Sequence, residues 1–463
     1  MKWWKKNKTA DIPVTGMKTF SFRKNAWKEF KKNKPAFISF WMLTIMFFFA
    51  FFASFIANDQ PLYVKYRGKT FYPAFSQHWL LHSVFGTSTV DSTQNPQTGE
   101  WEKLQFDITD WKQLETESIV WAPVPFSPEK SDILNTGFIS PSAIHYAKNH
   151  EGKIQESDGK FRHRLGTDKL GRDVLAGIIH GTKISLMVGV VSMGIAVIIG
   201  LLLGSLAGYY GDHLLTISRA SACLFSVGLF FGYFYGFVAR SLTLTEAFEL
   251  SAFYGMLQLL ISLFIFFGLP LSFAWTGKFV TKGFFGKKTA VPVDSIISRS
   301  IEIFNSMPRL LLIISVSAMI QERSLWLVMV IIGLTSWTEI ARFTRAELLK
   351  VRELDYITAA RALGLNNRNI IFRHALPNSI GPVFVTIVFG IASAILIESG
   401  LSFLNIGVPD DTVTWGSMLN MGRVEPEAWW MIVFPGLAIF ITITVYNLIG
   451  EGLRDALDPR FRK

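Results

Sequence analysis

The sequence contains very little cysteine and an unusually small share of charged residues. Cys223 is the only cysteine among 463 residues, which excludes an intramolecular disulfide and a site with several cysteine ligands. Only 17% of the residues are charged, against roughly a quarter in an ordinary soluble domain. Half are apolar and 14% are aromatic, which excludes intrinsic disorder and argues against a nucleic-acid-binding module. Because Cys223 lies in an apolar run, we expect it to be buried.

The positive charge is concentrated at the start of the chain. The formal net charge is +11, and residues 1–35 alone contain eleven basic and two acidic residues, a net charge of +9. A basic segment before an apolar run is typical of the cytoplasmic flank of a membrane protein. Residues 36–57 follow without a charge, and a helix of that length crosses a hydrocarbon core of roughly 30 Å. We therefore expect a cytoplasmic segment at 1–35 and an uncleaved first span at 36–57.

Seven further apolar runs predict a helical protein that crosses the membrane several times. They lie at about 183–209, 220–239, 251–276, 308–320, 325–338, 379–397 and 429–449. Counting every run as a span gives eight spans and places both termini in the cytoplasm. The positive-inside rule supports this orientation, because two predicted inner loops are basic. The first contains Lys278, Lys282, Lys287, Lys288 and Arg299, and the second contains Arg342, Arg345, Lys350, Arg352, Arg361, Arg368 and Arg373.

A hydrophilic segment at 58–165 separates the first two spans. It holds eleven basic and thirteen acidic residues, and this lack of a basic bias is expected of a translocated segment. Aromatic and polar residues alternate in places, as in residues 63–72, which predicts strands. The sequence thus predicts an extracytoplasmic subdomain of mixed structure.

The most informative inner loop runs from Asp355 to Pro377. Ala359 and Ala360 fall on a short predicted helix, where small side chains let another protein approach closely. Gly364 and the asparagines that follow it are expected to form the C-cap and the turn. We expect a second helical piece to end before Pro377, which then opens the next span.

A second motif precedes the second span. Its members are Gly166, Thr167, Asp168, Gly171, Arg172 and Asp173. The glycines and acids are suited to a turn and to the N-cap of a helix, and Arg172 can pair with either acid. We expect a structural role rather than contact with a solute. Neither this segment nor residues 286–289 completes a Walker motif, so we do not expect the chain to bind ATP.

These segments, in this order, resemble the permease subunits of ABC importers in the dipeptide, oligopeptide and nickel family, and specifically the C-type permease of the pair. Ala359-Ala360, Gly364 and Leu376-Pro377 are similar to the family's EAA loop. Residues 165–186, 301–315, 340–349, 395–419 and 446–463 resemble other family segments. The departures are Thr358 for a usual Glu, Asn405 for a usual Gly, Glu451 for a usual Asp, and an insertion at 212–291.

The resemblance implies an all-α type I permease bundle of six core helices. The core would comprise 36–57, 166–211 and 292–463, with the extracytoplasmic subdomain at 58–165. We expect two extra spans in the insertion; a hairpin on the membrane surface is the alternative.

The resemblance also implies a role for the loop and a set of partners. The loop would form the coupling helix that docks into a groove of an ATPase subunit, and its residues are Asp355, Thr358, Ala359, Ala360, Arg361, Gly364, Arg373, Leu376 and Pro377. The implied partners are a second homologous permease, two ABC ATPases, which carry ATP and Mg, and an extracytoplasmic solute-binding protein. This chain itself would hold no cofactor. The implied location is the bacterial inner membrane, and the solute would be a peptide, a peptide conjugate, a nickel chelate or a sugar.

Few other ionisable residues suggest a site. Glu398, near the outer end of its span, is a candidate for lining the translocation path; the alternative is a glutamate that caps the following turn. Glu339 and Arg342 are spaced to pair on one helix face. The histidines show no spacing of metal ligands, so we expect no metal site.

Two other classes of function remain open. A secondary transporter driven by an ion gradient would need ionisable groups within its bundle, and few are present. A membrane-anchored scaffold could bind a partner through 58–165. An intramembrane enzyme is disfavoured, because neither HExxH nor GxSxG occurs.

Overall fold

The structure is a computed structural model. It describes residues 22–76, 90–94, 101–106, 109, 111–112, 114, 116–148, 153–157, 159–250, 252–279, 282–319, 323–409 and 412–457. Residues 1–21 of the predicted basic segment lie outside these ranges.

Long helices joined by shorter ones make up most of the molecule. The first four are α1 (Phe22–Lys32), α2 (Lys34–Phe51), α3 (Ala53–Ile56) and α4 (Pro73–Ser76). The middle of the chain contains α5 (Val174–Tyr210), α6 (Arg219–Tyr233), α7 (Ser241–Leu250), α8 (Ala252–Thr276) and α9 (Gly283–Gly286). The remainder contains α10 (Val293–Ser306), α11 (Arg309–Met319), α12 (Leu325–Val351), α13 (Asp355–Ala362), α14 (Asn367–Asn369), α15 (Leu376–Phe403), α16 (Trp415–Val424) and α17 (Trp430–Leu457). Turns of π-helix follow α6 and α14, at Phe234–Val238 and Ile370–Ala375, and 3-10 turns lie at Ile133–Asn135 and Gly277–Phe279.

Short antiparallel strands occupy the segment between the first two long helices. They are β1 (Tyr63–Tyr66), β2 (Lys69–Phe71), β3 (Val90–Gln94), β4 (Trp101–Gln105), β5 (Ser118–Val120), β6 (Tyr146–Lys148) and β7 (Ile154–Glu156), followed after α5 by β8 (Thr216–Ser218) and β9 (Lys288–Ala290). The sheet orders are β2-β1-β5, β3-β4, β6-β7 and β8-β9. In the three-stranded sheet Val64 lies opposite both Phe71 and Ile119, and its buried side chain packs into a small aromatic core with Trp111 and Trp121.

Seven helical segments in the described part of the chain are long and apolar enough to cross a membrane. They are Lys34–Phe51, Val174–Tyr210, Arg219–Val238, Leu257–Phe279, Leu325–Val351, Asn367–Phe403 and Trp430–Leu457. The number rises to eight if α10 and α11, which meet at an angle of 80°, form one broken span. The fold is therefore the predicted helical, polytopic one, with small sheets and with two extra apolar helices in the insertion.

The apolar run at 308–320 forms only part of a span. Its helix α11 has 11 residues and is only about 16 Å long at 1.5 Å per residue. The helix is interrupted at Met307 and Pro308, because proline supplies no N–H and disfavours the α conformation in the residue before it. A crossing here requires α10 and α11 together.

The bundle is centred on the contact between α5 and α12. Gly200, Gly204 and Gly208 recur every four residues along the face of α5 that touches α12. A Cβ added at Gly204 would lie 2.6 Å from the carbonyl oxygen of Ala341, so only glycine permits this approach. Small residues allow close packing of helices in membranes, where no hydrophobic effect drives association.

The two apolar helices of the insertion pack against each other in the same way. Gly232 of α6 faces the backbone of α8, where an added Cβ would lie 2.7 Å from the carbonyl oxygen of Phe266. Cys223 is exposed, so the prediction that it is buried is wrong. Its apolar surroundings in the sequence form the outward surface of this helix pair rather than a protein core.

Candidate functional site

The loop predicted to couple to an ATPase forms a compact helical segment, here called the coupling segment (residues 355–377). Its first helix, α13, ends as predicted at Gly364, which has a φ of +77°. The N–H of Gly364 donates to the carbonyl of Arg361 at 3.0 Å, and the N–H of Leu365 donates to the carbonyl of Ala360 at 3.2 Å. These two bonds form a Schellman cap, which satisfies carbonyls that a helix end would otherwise leave free.

The two faces of α13 have different surroundings. Ile357 and Ala360 are buried in a cluster with Tyr209 of α5 and Leu348 of α12. Thr358, Ala359 and Arg361 are exposed, and Leu363 is 82% exposed. The alanine pair was expected to meet another protein, and this expectation is corrected for Ala360, which packs against its own bundle.

The second half of the coupling segment does not end before Pro377. Asn367–Asn369 continues through the π-helical turn Ile370–Ala375 into α15, so that one helical rod runs to Phe403. The predicted break is therefore absent. A π turn bonds each carbonyl to an N–H five residues on rather than four, as in the bond from Leu376 N–H to the carbonyl of Ile371. This wider turn accommodates the ring and missing N–H of Pro377.

Specific contacts hold the coupling segment on the ends of α5 and α12. The hydroxyl of Tyr209, at the end of α5, donates to Oδ1 of Asn367 at 2.9 Å. The guanidinium of Arg361 lies 5.9 Å from the centre of the Tyr209 ring. Leu376 packs against the buried cluster, whereas Asp355, Arg373 and Pro377 are exposed. The segment is thus fixed to its own chain on one side and open on the other.

A charged cleft of about 350 Å³ adjoins the coupling segment. Its lining includes Asp212, Asp294, Arg352, Glu353 and Arg361. Arg352 Nε pairs with Glu353 at 2.9 Å. The hydroxyl and N–H of Ser295 donate to the carboxylate of Asp212 and lower the pKa of that carboxyl. The beginning of the insertion therefore meets the coupling segment at this cleft.

The motif before α5 builds a tight junction. Gly166 and Gly171 both have a φ of +80°, and a Cβ at Gly166 would lie 2.7 Å from the carbonyl oxygen of Ile139. Arg172 Nε donates to Asp168 Oδ2 at 2.6 Å, and both side chains are buried. Thr167 donates to the carbonyl of Asn135 at 2.8 Å. Each polar side chain has a partner inside the chain, which agrees with a structural role.

Asp173 and a histidine not singled out by the sequence complete this junction. Asp173 Oδ1 accepts from the N–H of Ala176 at 2.7 Å and caps α5, while Oδ2 lies 2.9 Å from Nδ1 of His163. Nε2 of His163 lies 3.3 Å from Asp132. Burial disfavours the charged imidazole, but the hydrogen bonds to both carboxylates outweigh it and raise the pKa of His163. No spacing in the sequence signals this trio, because Asp132 is contributed by a distant loop.

Glu398 is 0% exposed and lies in the last turns of α15, where it contacts side chains of its own helix. Its Oε1 accepts from the hydroxyl of Ser402 at 2.7 Å, and Oε2 accepts from Ser399 at 3.4 Å. A side chain that lines a path between two subunits would be open in one subunit alone. The partners of Glu398 in this structure lie within its own chain, and these contacts fit the alternative of a glutamate that serves the following turn better than a place on the path.

Two other sequence features have clear structural outcomes. Glu339 and Arg342 form no ion pair in the described part of the chain; Arg342 lies instead 5.9 Å from the centre of the Phe343 ring. Asn405, which stands where the family usually has glycine, has a φ of +59°. Asparagine tolerates this left-handed conformation better than other non-glycine residues do, so the departure preserves the turn.

Comparison with known proteins assigns the chain to a class. Residues 283–463 match the family model described as the inner membrane component of binding-protein-dependent transport systems. Residues 21–74 match the N-terminal transmembrane domain of oligopeptide transport permease C. The inner membrane ABC transporter permease protein YejE of Escherichia coli K12 is 27% identical over 435 residues, which cover 94% of this chain and 96% of that protein.

Two further relatives have more specific names. The peptidoglycan transport system permease protein YejE of Agrobacterium fabrum is 24% identical and covers 94% of this chain, with 93% of its own length matched. A putative peptide transport system permease protein of Brucella suis is 45% identical over 172 residues, which are 36% of this chain and 57% of that protein.

The fold and these matches together define a multi-pass permease subunit of an ABC importer in the bacterial inner membrane. The family whose model matches residues 283–463 is that of the inner membrane components of binding-protein-dependent transport systems. Permeases of this family work with ATPase and substrate-binding partners.

Proposed function

We propose that this permease imports peptides or peptide-containing fragments, as the C-type subunit of a pair. The support is that the match at 21–74 is to the N-terminal domain of an oligopeptide permease C, and that relatives are named for peptidoglycan and peptide transport. Its partners are a second homologous permease, two ATPases that bind ATP and Mg, and an extracytoplasmic solute-binding protein. This chain holds no cofactor and hydrolyses no ATP itself.

The proposed orientation places both termini in the cytoplasm and residues 58–165 outside. The concentration of basic residues in 1–35 and around the coupling segment supports this orientation. The strands of 58–165 then form an extracytoplasmic subdomain, and the two apolar helices of the insertion cross the membrane beside the six core helices.

The coupling segment transmits the movement of the ATPases to the pore. The observation that carries this proposal is the two-sided construction of α13, whose buried face joins the ends of α5 and α12 while Ala359 and Leu363 remain open. A helix packed in this way moves as a rigid body with the spans to which it is attached. The exposed face is free to occupy a groove on an ATPase.

Site-specific crosslinking tests this assignment. A variant with Cys223→Ser provides a cysteine-free chain, into which Ala359→Cys places a thiol on the exposed face and Ala360→Cys places one on the buried face. We expect the thiol at 359 to crosslink to single-cysteine ATPases and the thiol at 360 not to do so. No crosslink at 359 in an assembled, active complex would contradict the docking.

Reconstitution tests the transport activity separately. Proteoliposomes that contain both permeases and both ATPases, supplied with the binding protein, should accumulate labelled peptide only with ATP and Mg. Uptake driven by an ion gradient without ATP would instead support a secondary transporter. A complex that hydrolyses ATP but accumulates no peptide would contradict the proposed solute class.

A further inference from the structure

The broken helix between α10 and α11 exposes irregular backbone. The two helices meet at 80°, and the non-helical residues Met307 and Pro308 are both exposed. The exposed surface continues on either side, through Ile303 and Leu311. We call residues 306–309 the midspan break.

The midspan break lies against the middle of α12. Asn305 accepts a hydrogen bond from Thr338 at 3.0 Å, and Arg309 donates to the hydroxyl of Ser336. Ser336 is eleven residues from the first residue of α12, which is about 17 Å at 1.5 Å per residue. Arg342, the first basic residue of the predicted inner loop, is six residues further along α12, about 9 Å at 1.5 Å per residue. The hydrocarbon core is about 30 Å thick, so the break lies within the membrane, nearer the end of α12 that carries the basic residues.

Lipid is an unsuitable neighbour for this surface. Unpaired backbone groups at membrane depth are tolerated only where protein covers them or where they line a water-filled cavity. An arginine at this depth has the same requirement, because ionisable residues within spans face the bundle or an aqueous pathway. In a permease with two subunits, the exposed midspan break must therefore meet either the partner permease or the path between the subunits, and the charge of Arg309 favours the path.

Arg309 retains hydrogen-bonding capacity within this arrangement. Its Nη2 donates to Ser336, and the enclosed Nε has no hydrogen-bond partner among the described residues. Nη1 also has no partner there but is not enclosed, so it is the donor that a solute can reach. Glu339, one helical turn beyond Ser336, acts on Arg309 only at longer range than an ion pair. A guanidinium with free donors and no paired acid is suited to a carboxylate, which it can bind through two parallel hydrogen bonds.

We propose that Arg309 at the midspan break binds a carboxylate of the solute as the solute passes through the membrane. This proposal rests on the proposed import of peptides, whose C-terminus supplies such a carboxylate. Discontinuous helices near the middle of the membrane are a recurring place for solute sites in transporters, because irregular backbone there can contact the solute.

The first experiment tests whether the midspan break is open to water and attracts anions. Met307→Cys is introduced in the Cys223→Ser background, and the reconstituted complex is treated in parallel with a negatively charged and with a positively charged methanethiosulfonate, reagents that label thiols. We expect labelling by both reagents, several-fold faster with the anion, and loss of this preference when Arg309→Gln is added. Leu271→Cys, at a position 63% exposed on the insertion, serves as the lipid-facing control and should remain unlabelled. A thiol at 307 as unreactive as the one at 271, or one without charge preference, would overturn the proposal.

The second experiment tests the solute itself. Uptake of a peptide with a free C-terminus is compared with uptake of its C-terminal amide, with the same binding protein throughout. Because a hydrogen bond to a charged group contributes about 1.5 kcal/mol or more, Arg309→Gln should weaken uptake of the free acid about tenfold. Uptake of the amide should remain unchanged.

The matched control is Arg299→Gln, which removes an arginine that is already paired with Glu302 at 2.6 Å. Arg299→Gln should change the uptake of neither the free acid nor the amide. Equal losses for the acid and the amide in Arg309→Gln, or no loss for either, would overturn the site. A wild-type complex that imports neither peptide would contradict the proposed function instead. In that case the labelling of Met307→Cys would still test whether the midspan break is open to water and attracts anions.

Discussion

The cap at Gly364 offers the sharpest test of the coupling segment. Gly364 has a φ of +77°, and a Cβ added there would meet nothing within 4 Å. Gly364→Ala therefore creates no clash, and its whole cost comes from placing an L-residue in the left-handed region, about 1–2 kcal/mol. This energy shifts the local equilibrium between a capped and a frayed α13 by a factor of about 5–30.

We expect this shift to reduce coupling without unfolding the bundle. The cap is exposed, so fraying would disorder the last turn of α13, including exposed Arg361, and leave the spans in place. In reconstituted complex, Gly364→Ala should lower solute-stimulated ATPase activity and weaken association of the ATPases, while the melting temperature of the permease changes little. Gly364→Asn should retain more activity, because asparagine tolerates a positive φ.

The matched control lies in the insertion. Gly283 has a φ of +75° and equally open surroundings, so Gly283→Ala imposes the same backbone strain away from the coupling segment. It should leave stimulated hydrolysis unchanged. Solute-stimulated ATPase activity of Gly364→Ala equal to that of the wild type would refute the reasoning. So would an equal loss of this activity in Gly283→Ala.

Two further predictions concern stability. Because the folded pKa of His163 is raised, its stabilising effect is complete below its ordinary pKa of about 6.5 and is lost as pH rises through the raised value. His163→Gln should therefore flatten the fall in melting temperature as pH rises above about 6.5. An unchanged profile would argue against this role. Gly204→Leu should destabilise the contact between α5 and α12 by about 1–3 kcal/mol or more, because even a Cβ there would lie 2.6 Å from a carbonyl oxygen. The control Gly194→Leu, where nothing lies within 4 Å of an added Cβ, should have little effect on the melting temperature. Equal effects of the two variants would contradict the packing argument.

Several local features could be read from neighbouring residues. Asp173 at the start of α5 and Gly364 at the end of α13 have the structures that their sequences predict. Caps of this kind depend on residues within one turn of the helix. Arg172 was predicted to pair with Asp168 or Asp173, and in the structure it pairs with Asp168.

Other features depended on contacts that no local pattern encodes. The sequence treats Ala359 and Ala360 alike, and only the packing against Tyr209 and Leu348 buries the second of them. The position of Glu398 in a span allowed either a place on the path or a cap for the following turn, and only the structure shows that serines of its own chain enclose it.

Patterns along consecutive residues were enough to assign this protein to its class. Span length, the concentration of basic charge and the order of the motifs are properties of consecutive residues, because the membrane imposes a fixed thickness on every helix that crosses it. Three-dimensional packing was needed to establish which face of each helix is exposed, how Asp132 contacts His163, and where Arg309 lies along α12. These outcomes come from contacts between residues far apart in the chain, and burial or exposure follows from such contacts rather than from the identity of the residue.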